Sequence, residues 1–327
     1  MPELSEYAIE VEDLRKVYPG GVEALRGVSF RVRKGEIFSL LGPNGAGKTT
    51  TVRILSTLYK PTGGVARVLG YDVVRESGKV RRVIGVVSQE STSDDEMTGF
   101  DNVYIQARLY GLSGEEARRA AWEALRFMGL ENAANRKVST YSGGMKRRLE
   151  IAMSLVHTPQ VLFLDEPTLG LDVESRRELW KLILDLKRRG VTILLTTHYM
   201  EEADRLSDRV AIINEGRIIA VGTPEELKKK VGGEAIHIAP MDPQDADKII
   251  ERLKSHGYDV RKAGRIVVVK VDDASRRITE IIKLVEDVEV LEVGVVKPNL
   301  EEVFLLLTGR RLIEEEPSTT ARIPTRR

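Results

Sequence analysis

The chain has 327 residues, 42% hydrophobic and 31% charged, which is enough apolar material for one large and one small core and excludes global disorder. Lys and Arg number 51 against 50 Asp and Glu, so no global field draws a nucleic-acid backbone, and nucleic acid is not an expected partner. Cysteine is absent, which removes disulfide scaffolds, thiol catalysis and thiolate metal sites. No apolar run approaches the roughly 20 residues that cross a bilayer. The opening Met1-Pro2-Glu3-Leu4-Ser5-Glu6-Tyr7 has neither the basic flank nor the apolar block of a secretion signal. The expectation is a soluble, cytoplasmic protein that needs an external anchor if it works at a membrane.

In chain order, residues 8 to about 223 alternate short β-rich runs with helical patterns, the signature of an α/β sheet. The run Glu36–Leu41 is apolar apart from Glu36 and Ser39 and lacks apolar/polar alternation, as in a strand covered on both faces. It leads into Gly42-Pro43-Asn44-Gly45-Ala46-Gly47-Lys48-Thr49, which satisfies the phosphate-loop pattern G-x-x-x-x-G-K-[ST], and a helical run (Thr51, Ile54, Leu55, Leu58) follows. Glycines let the backbone N–H groups converge, and the helix adds its positive end; both favour a polyphosphate. Lys48 would neutralise β/γ charge and the Thr49 hydroxyl would bind Mg²⁺.

From about Ser91 to Arg136 the spacing is helical (Phe100, Val103, Tyr104, Ala107; Ala117, Ala121, Leu125, Met128) with no strand signal, an all-α insertion. Met97, Phe100 and Tyr104 are either a docking groove for a partner or the insertion's own core, since apolar helical stripes usually face inward. Tyr141-Ser142-Gly143-Gly144-Met145 then opens another helix (Leu149, Ala152, Met153, Val156), with Ser142 as its cap and two glycines exposing N–H groups at its tip. That tip is a second anion site, whereas one nucleotide has one γ-phosphate, so the economical reading is that it serves a nucleotide held by another copy.

Val161–Leu164 is a buried strand that delivers Asp165 and Glu166 to its C-terminal end, where open α/β sheets bind ligands. Two adjacent carboxylates there repel unless a cation is present. Asp165 would hold Mg²⁺, and Glu166 could polarise a water for in-line attack on a γ-phosphate. A third strand, Val191–Leu195, runs into Thr196, Thr197 and His198.

A charged helix end, Leu227-Lys228-Lys229-Lys230-Val231, followed by Gly232-Gly233 marks a composition shift. Beyond it the pattern reads β-α-β-β-α-β: Ala235–Ala239; a helix through Ala246, Ile249 and Leu253; Tyr258–Lys262 and Arg265–Val271 around Ala263-Gly264; a helix through Ile278, Ile281 and Val285; Val288–Val296. This is the split order of a small α+β ferredoxin-like domain. Pro298 and Asn299 open a last helix through Phe304 and Leu307, and the Ser/Thr/Pro/Arg-rich residues 314–327 are expected to be disordered. No catalytic constellation lies beyond Gly233; dimer support, regulation and inert packing are all open for that part.

Together these residues resemble the nucleotide-binding subunit of ATP-binding cassette (ABC) transporters, over about residues 8–226, with a helical subdomain at about 91–155 and an accessory ferredoxin-like domain at 234–309. The resemblance implies a P-loop NTPase, RecA-like core. It implies ATP contacts along Gly42, Pro43, Asn44, Gly45, Ala46, Gly47, Lys48, Thr49 and Thr50, with Tyr18 stacking on adenine. Gln89, after Gly85-Val86-Val87-Ser88, is similar to the glutamine that touches Mg²⁺ or water and reports to the membrane partner. Ser142, Gly143 and Gly144 match the signature that acts in trans, Leu171-Asp172 the loop crossing between subunits, Glu166 the catalytic base, and His198 the histidine at the γ-phosphate. Thr49, Gln89 and Asp165 would then be the metal ligands, and ATP and Mg²⁺ the cofactors. The signature departs from the family in having Tyr141 for Leu and Met145 for Gln. That variant, with Pro298-Asn299-Leu300-Glu301-Glu302-Val303-Phe304 and Leu307-Thr308-Gly309-Arg310, resembles daunorubicin-resistance efflux ATPases. The function so implied is ATP-driven dimerisation powering export of drugs, lipids or similar amphiphiles through a separate permease. The chain would sit on the cytoplasmic face of the cell membrane. An importer subunit whose C-terminal domain senses ligand, or a soluble ATPase acting on ribosomes or DNA, are the alternatives. The last is disfavoured by a single phosphate loop and by the absence of a long coiled-coil insertion between Gln89 and Ser142.

Overall fold

The computed structural model describes residues 6–230, 234–296 and 299–308, which form two compact units divided between Thr223 and Pro224. In the first, β1 (Tyr7–Val17), β2 (Glu23–Arg33) and β3 (Ile37–Leu41) precede α1 (Lys48–Leu55). Then come β4 (Gly63–Val68), β5 (Tyr71–Asp72), α2 (Ser77–Val83), β6 (Ile84–Val87), α3 (Gly99–Leu109), α4 (Gly114–Phe127) and α5 (Gly143–Leu155). The unit closes with β7 (Val161–Asp165), α6 (Val173–Arg188), β8 (Thr192–Thr197), α7 (Met200–Leu206), β9 (Arg209–Asn214) and β10 (Arg217–Gly222).

The strand pattern read as one sheet separates into two. An antiparallel sheet of order β2-β1-β4-β5 faces a six-stranded sheet of order β10-β9-β3-β8-β7-β6 across a shared core. In the larger sheet β9, β3, β8, β7 and β6 are all parallel to their neighbours, and only β10 runs antiparallel. The continuous apolar runs have the cause inferred from sequence. In β7, Val161 and Phe163 face the core shared with the antiparallel sheet, while Leu162 and Leu164 face the helices.

Between β6 and β7 the described residues contain helices, two single 3₁₀ turns (Glu131–Ala133 and Val138–Thr140) and one isolated bridge, Thr98 to Lys137. α4 begins with a capping box in which Ser113 accepts from the Glu116 N–H and the Glu116 carboxylate accepts from the Ser113 N–H. Its buried face is Ala117, Ala121, Ala124 and Leu125. Phe100 and Tyr104 stack on each other at 5.8 Å and join this core, whereas Met97 is exposed.

The second unit holds α8 (Pro224–Lys229), β11 (Glu234–Pro240), α9 (Asp245–Ser255), β12 (Asp259–Ala263), β13 (Ile266–Val271), α10 (Ala274–Leu284), β14 (Val290–Val296) and α11 (Leu300–Thr308). Its sheet order is β12-β13-β11-β14, antiparallel throughout, the arrangement a β-α-β-β-α-β chain makes when two β-α-β crossovers interleave. Ile236, Ile238, Val267 and Val269 pack under Ala246, Ile249, Leu253 and Ile281. Gly232, Gly233, Pro298, Gly309, Arg310 and the tail 314–327 lie outside the described residues. Among the described residues no helix is long and apolar enough to cross a membrane.

Candidate nucleotide site

Four parallel neighbours, in the order β3-β8-β7-β6, end on the same edge of the sheet, and each hands a chemically active segment to it. After β3 comes the phosphate loop, after β6 Gln89, after β7 Glu166, and after β8 His198. These segments wall one cleft of about 560 Å³, lined by Pro43, Asn44, Gly45, Gly47, Lys48, Thr49 and Thr50 together with Gln89, Glu166 and His198. Tyr18 joins them from the turn between β1 and β2, its hydroxyl 3.2 Å from Thr50 Oγ1.

The loop's shape requires glycine. Gly47 has φ +106°, and a Cβ there would meet Ala24 O and Leu25 Cδ2, each at 2.7 Å. Gly42 approaches so closely that a Cβ would lie 2.1 Å from the Ile213 carbonyl oxygen. Gly47 serves as N-cap of α1 without a side-chain cap bond, leaving the helix N–H groups directed at the cleft. Lys48 is 4% exposed, and its Nζ donates to Gly42 O at 2.7 Å and Pro43 O at 3.1 Å. Burial pulls its pKa below the usual lysine range, opposed by the Glu166 carboxylate 3.1 Å away.

Glu166 is 7% exposed and sits in the left-handed region at φ +49°. Its N–H is held by both the carbonyl and the hydroxyl of Thr196, at 3.1 and 3.0 Å. Burial pushes its carboxyl up, but the adjacent His198 ring and the Lys48 ammonium outweigh it and leave the pKa below the usual range. His198 Nδ1 lies 3.3 Å from Glu166 Oε2 without making a hydrogen bond. Asp165 Oδ1 accepts from Thr49 Oγ1 at 3.2 Å and from Thr196 Oγ1 at 2.5 Å. Thr196 thus orients both carboxylate residues, a role visible in sequence only as a hydroxyl at the end of an apolar strand.

Hard oxygens of Thr49 and Asp165 side by side, with Gln89 across the cleft, suit Mg²⁺. Among the described residues no group of three or more His, Cys, Asp or Glu could hold a metal alone. The donor set therefore fits a cation that completes its shell with phosphate oxygens and water.

Ser142, Gly143 and Gly144 are not part of this cleft. Ser142 caps α5, its Oγ accepting from the Met145 N–H at 3.3 Å, and Ser142 and Gly143 are exposed while Gly144 is buried against Ser175. Asp172 caps α6 nearby; its carboxylate accepts from the N–H and hydroxyl of Ser175 at 2.9 and 2.8 Å, which holds its pKa below the usual range. Tyr141 is buried, its hydroxyl donating to Ala133 O at 2.7 Å, so the aromatic signature variant anchors the loop to the helical insertion.

Two family models match the chain: one described as ABC transporter over residues 25–169, the other as ATP-binding protein DrrA1-3-like, C-terminal domain, over residues 222–308. The chain is 44% identical over 311 residues to the doxorubicin resistance ATP-binding protein DrrA of Mycobacterium tuberculosis, covering 93% of this chain and 94% of that one. It is 42% identical over 320 residues to the daunorubicin resistance ATP-binding protein DrrA2 of Streptomyces coeruleorubidus, covering 96% and 99%. Among solved structures it resembles the dimeric post-hydrolysis ATP-binding cassette MJ0796 bound to ADP and Pi, at 29% identity and a TM-score of 0.61 over 66% of this chain and 98% of that one. The phosphate loop, the paired carboxylates and the end-to-end likeness agree: this chain belongs to the ATP-binding subunits of ABC transporters and is an ATPase.

Proposed function

We propose that two copies of this chain sandwich two Mg-ATP between them and drive a separate membrane-spanning permease that exports drugs, lipids or similar amphiphiles. The chain is held at the cytoplasmic face of the membrane by that permease. One observation carries the reading: Lys48, Thr49, Glu166 and His198 converge on one cleft, with Asp165 hydrogen-bonded to Thr49 at its edge, while Ser142 and Gly143 stand exposed outside it. An anion-binding helix tip that its own nucleotide cannot use is suited to the nucleotide of a sister chain. The resistance names of its relatives support export.

In this reading the N–H groups of Gly45 to Thr49 and the Lys48 ammonium cradle the β- and γ-phosphates, and Tyr18 packs on the adenine. Thr49, Asp165 and Gln89 hold Mg²⁺, which when bound neutralises charge on the β- and γ-phosphate oxygens. Glu166 accepts the proton of the attacking water, and His198 steadies the γ-phosphate beside it. Asp172 crosses to the sister chain. Residues 8–226 are the ATPase domain and 234–309 an accessory domain. γ-Phosphate on one copy completes the positive end of α5 on the other, so closure depends on the triphosphate and hydrolysis releases it.

Sedimentation of the Glu166→Gln chain with Mg-ATP tests this. The expected result is a dimer with ATP and a monomer with ADP, abolished by adding Gly143→Asp. A chain that stays monomeric with saturating Mg-ATP, even with its permease present, overturns it.

A further inference from the structure

Arg147 ties three segments of the site together through one guanidinium. It lies on α5, just over one turn past the Ser142 cap, and is 8% exposed. Nε donates to Pro167 O at 2.8 Å, and Nη2 to Asp165 O at 2.9 Å and Glu166 O at 3.1 Å. Nη1 donates to Ser88 O at 2.6 Å and to Glu150 Oε2 at 2.8 Å. Every one of the five N–H donors of an arginine is used. Three acceptors are consecutive carbonyls at the end of β7, and a fourth belongs to the residue before Gln89. Buried Glu150, one turn further along α5, balances the charge.

The geometry assigns Arg147 as a positioning residue that fixes the aim of Glu166 and gears it to the Gln89 loop and the Ser142 helix. Glu166 occupies a backbone region that side-chain-bearing residues adopt only when their surroundings hold them there. Thr196 clamps the peptide before it, and Arg147 clamps the carbonyls on both sides. With both peptide planes fixed, the Cα–Cβ direction of Glu166 is fixed too. A buried ion pair serving stability alone would need only Glu150; four of the five bonds go instead to main-chain oxygens of the site. Displacing Ser88 therefore pulls on the same rigid fork that holds Glu166, so the Gln89 loop influences turnover without touching the base.

The inference rests on Glu166 being the base and Gln89 the reporter, and its test separates the two. Full-length Arg147→Lys, which keeps the charge but loses the fork, is compared with Arg147→Gln/Glu150→Gln, which removes both buried charges. ATP affinity and stoichiometry, kcat, KM, and hydrogen exchange of the segments 84–92 and 161–171 are measured. Affinity and KM should stay within about threefold of the parent while kcat falls about 10- to 100-fold. Exchange should rise in both segments together. A parental kcat per bound ATP, or a loss matched by a fall in binding stoichiometry, overturns the assignment. Glu166→Gln runs alongside: if it is inactive while the Arg147 variants turn over normally, the gearing fails and the base stands. If Glu166→Gln itself turns over normally, the base is misassigned and the gearing falls with it.

Discussion

Replacing Thr196 with valine removes one hydroxyl and almost no volume, and the structure sets what that costs. The hydroxyl donates to Asp165 Oδ1 at 2.5 Å and accepts from the Glu166 N–H at 3.0 Å, in a residue that is fully buried. The bond to an ionised carboxylate contributes about 1.5–3 kcal/mol. The second loss is small, because the Glu166 N–H keeps the Thr196 carbonyl at 3.1 Å. The first thermal transition should drop by about 3–12 °C, at about 2–4 °C per kcal/mol for a unit of this size. The Asp165 carboxylate then depends on Thr49 alone for its orientation. A displacement near 1 Å there lowers kcat about 100-fold, with the Mg²⁺ concentration for half-maximal rate rising. Differential scanning calorimetry and steady-state ATPase assays across a Mg²⁺ titration read both effects. A Thr196→Val chain with unchanged melting and Mg²⁺ dependence would refute the claim that this hydroxyl organises the carboxylates.

Glu166→Gln preserves the shape of the side chain and its Lys48 contact, so ATP binding should persist while turnover falls about 10²–10⁴-fold in single-turnover assays; near-parental hydrolysis contradicts the base assignment. Gly47→Ala puts a side chain where φ is +106° and Ala24 O is 2.7 Å away, so the loop must shift; affinity for a fluorescent ATP analogue should fall at least about fivefold, since such strain costs about 1–3 kcal/mol. Glu202 is fully buried, its Oε1 accepting from Trp180 Nε1 at 3.1 Å, and burial holds its carboxyl above the usual range. A raised carboxyl pKa means that the folded state keeps a proton that the unfolded chain has released. Stability is therefore lost as pH rises from the unfolded pKa through the folded one. Glu202→Gln keeps the tryptophan's acceptor and cannot ionise, so its melting advantage over the parent should grow between pH 5 and pH 8; a pH-independent difference rules this out.

The parts of the site legible in sequence were those made by neighbours along the chain. The phosphate loop is eight consecutive residues between a strand and a helix, and its glycines announce a backbone that no other residue adopts. Asp165-Glu166 and His198 were legible because the strands before them are apolar enough to be recognised as buried. The separate antiparallel sheet was not, because β1 and β2 pair with each other across irregular register and β1 pairs on its other side with distant β4, and alternation alone does not say which sheet a strand joins. Arg147 was invisible for another reason. Its partners are mostly main-chain oxygens, which every residue carries, and it stands among the basic residues of Lys146-Arg147-Arg148, where one buried member looks like its half-buried neighbours.

The outermost place of β6 has a mechanical meaning. It is hydrogen-bonded to β7 on one side only, and its Val86 is exposed. A strand in the middle of a sheet can move only by tearing two ladders, whereas a border strand can slide or tilt against one. Of the four strands that feed the cleft, the one leading to Gln89 is therefore the most compliant, and the other three form the anvil against which it yields. A push arriving from outside moves the margin first and reaches Glu166 through Arg147, while the phosphate seat after β3 stays undisturbed.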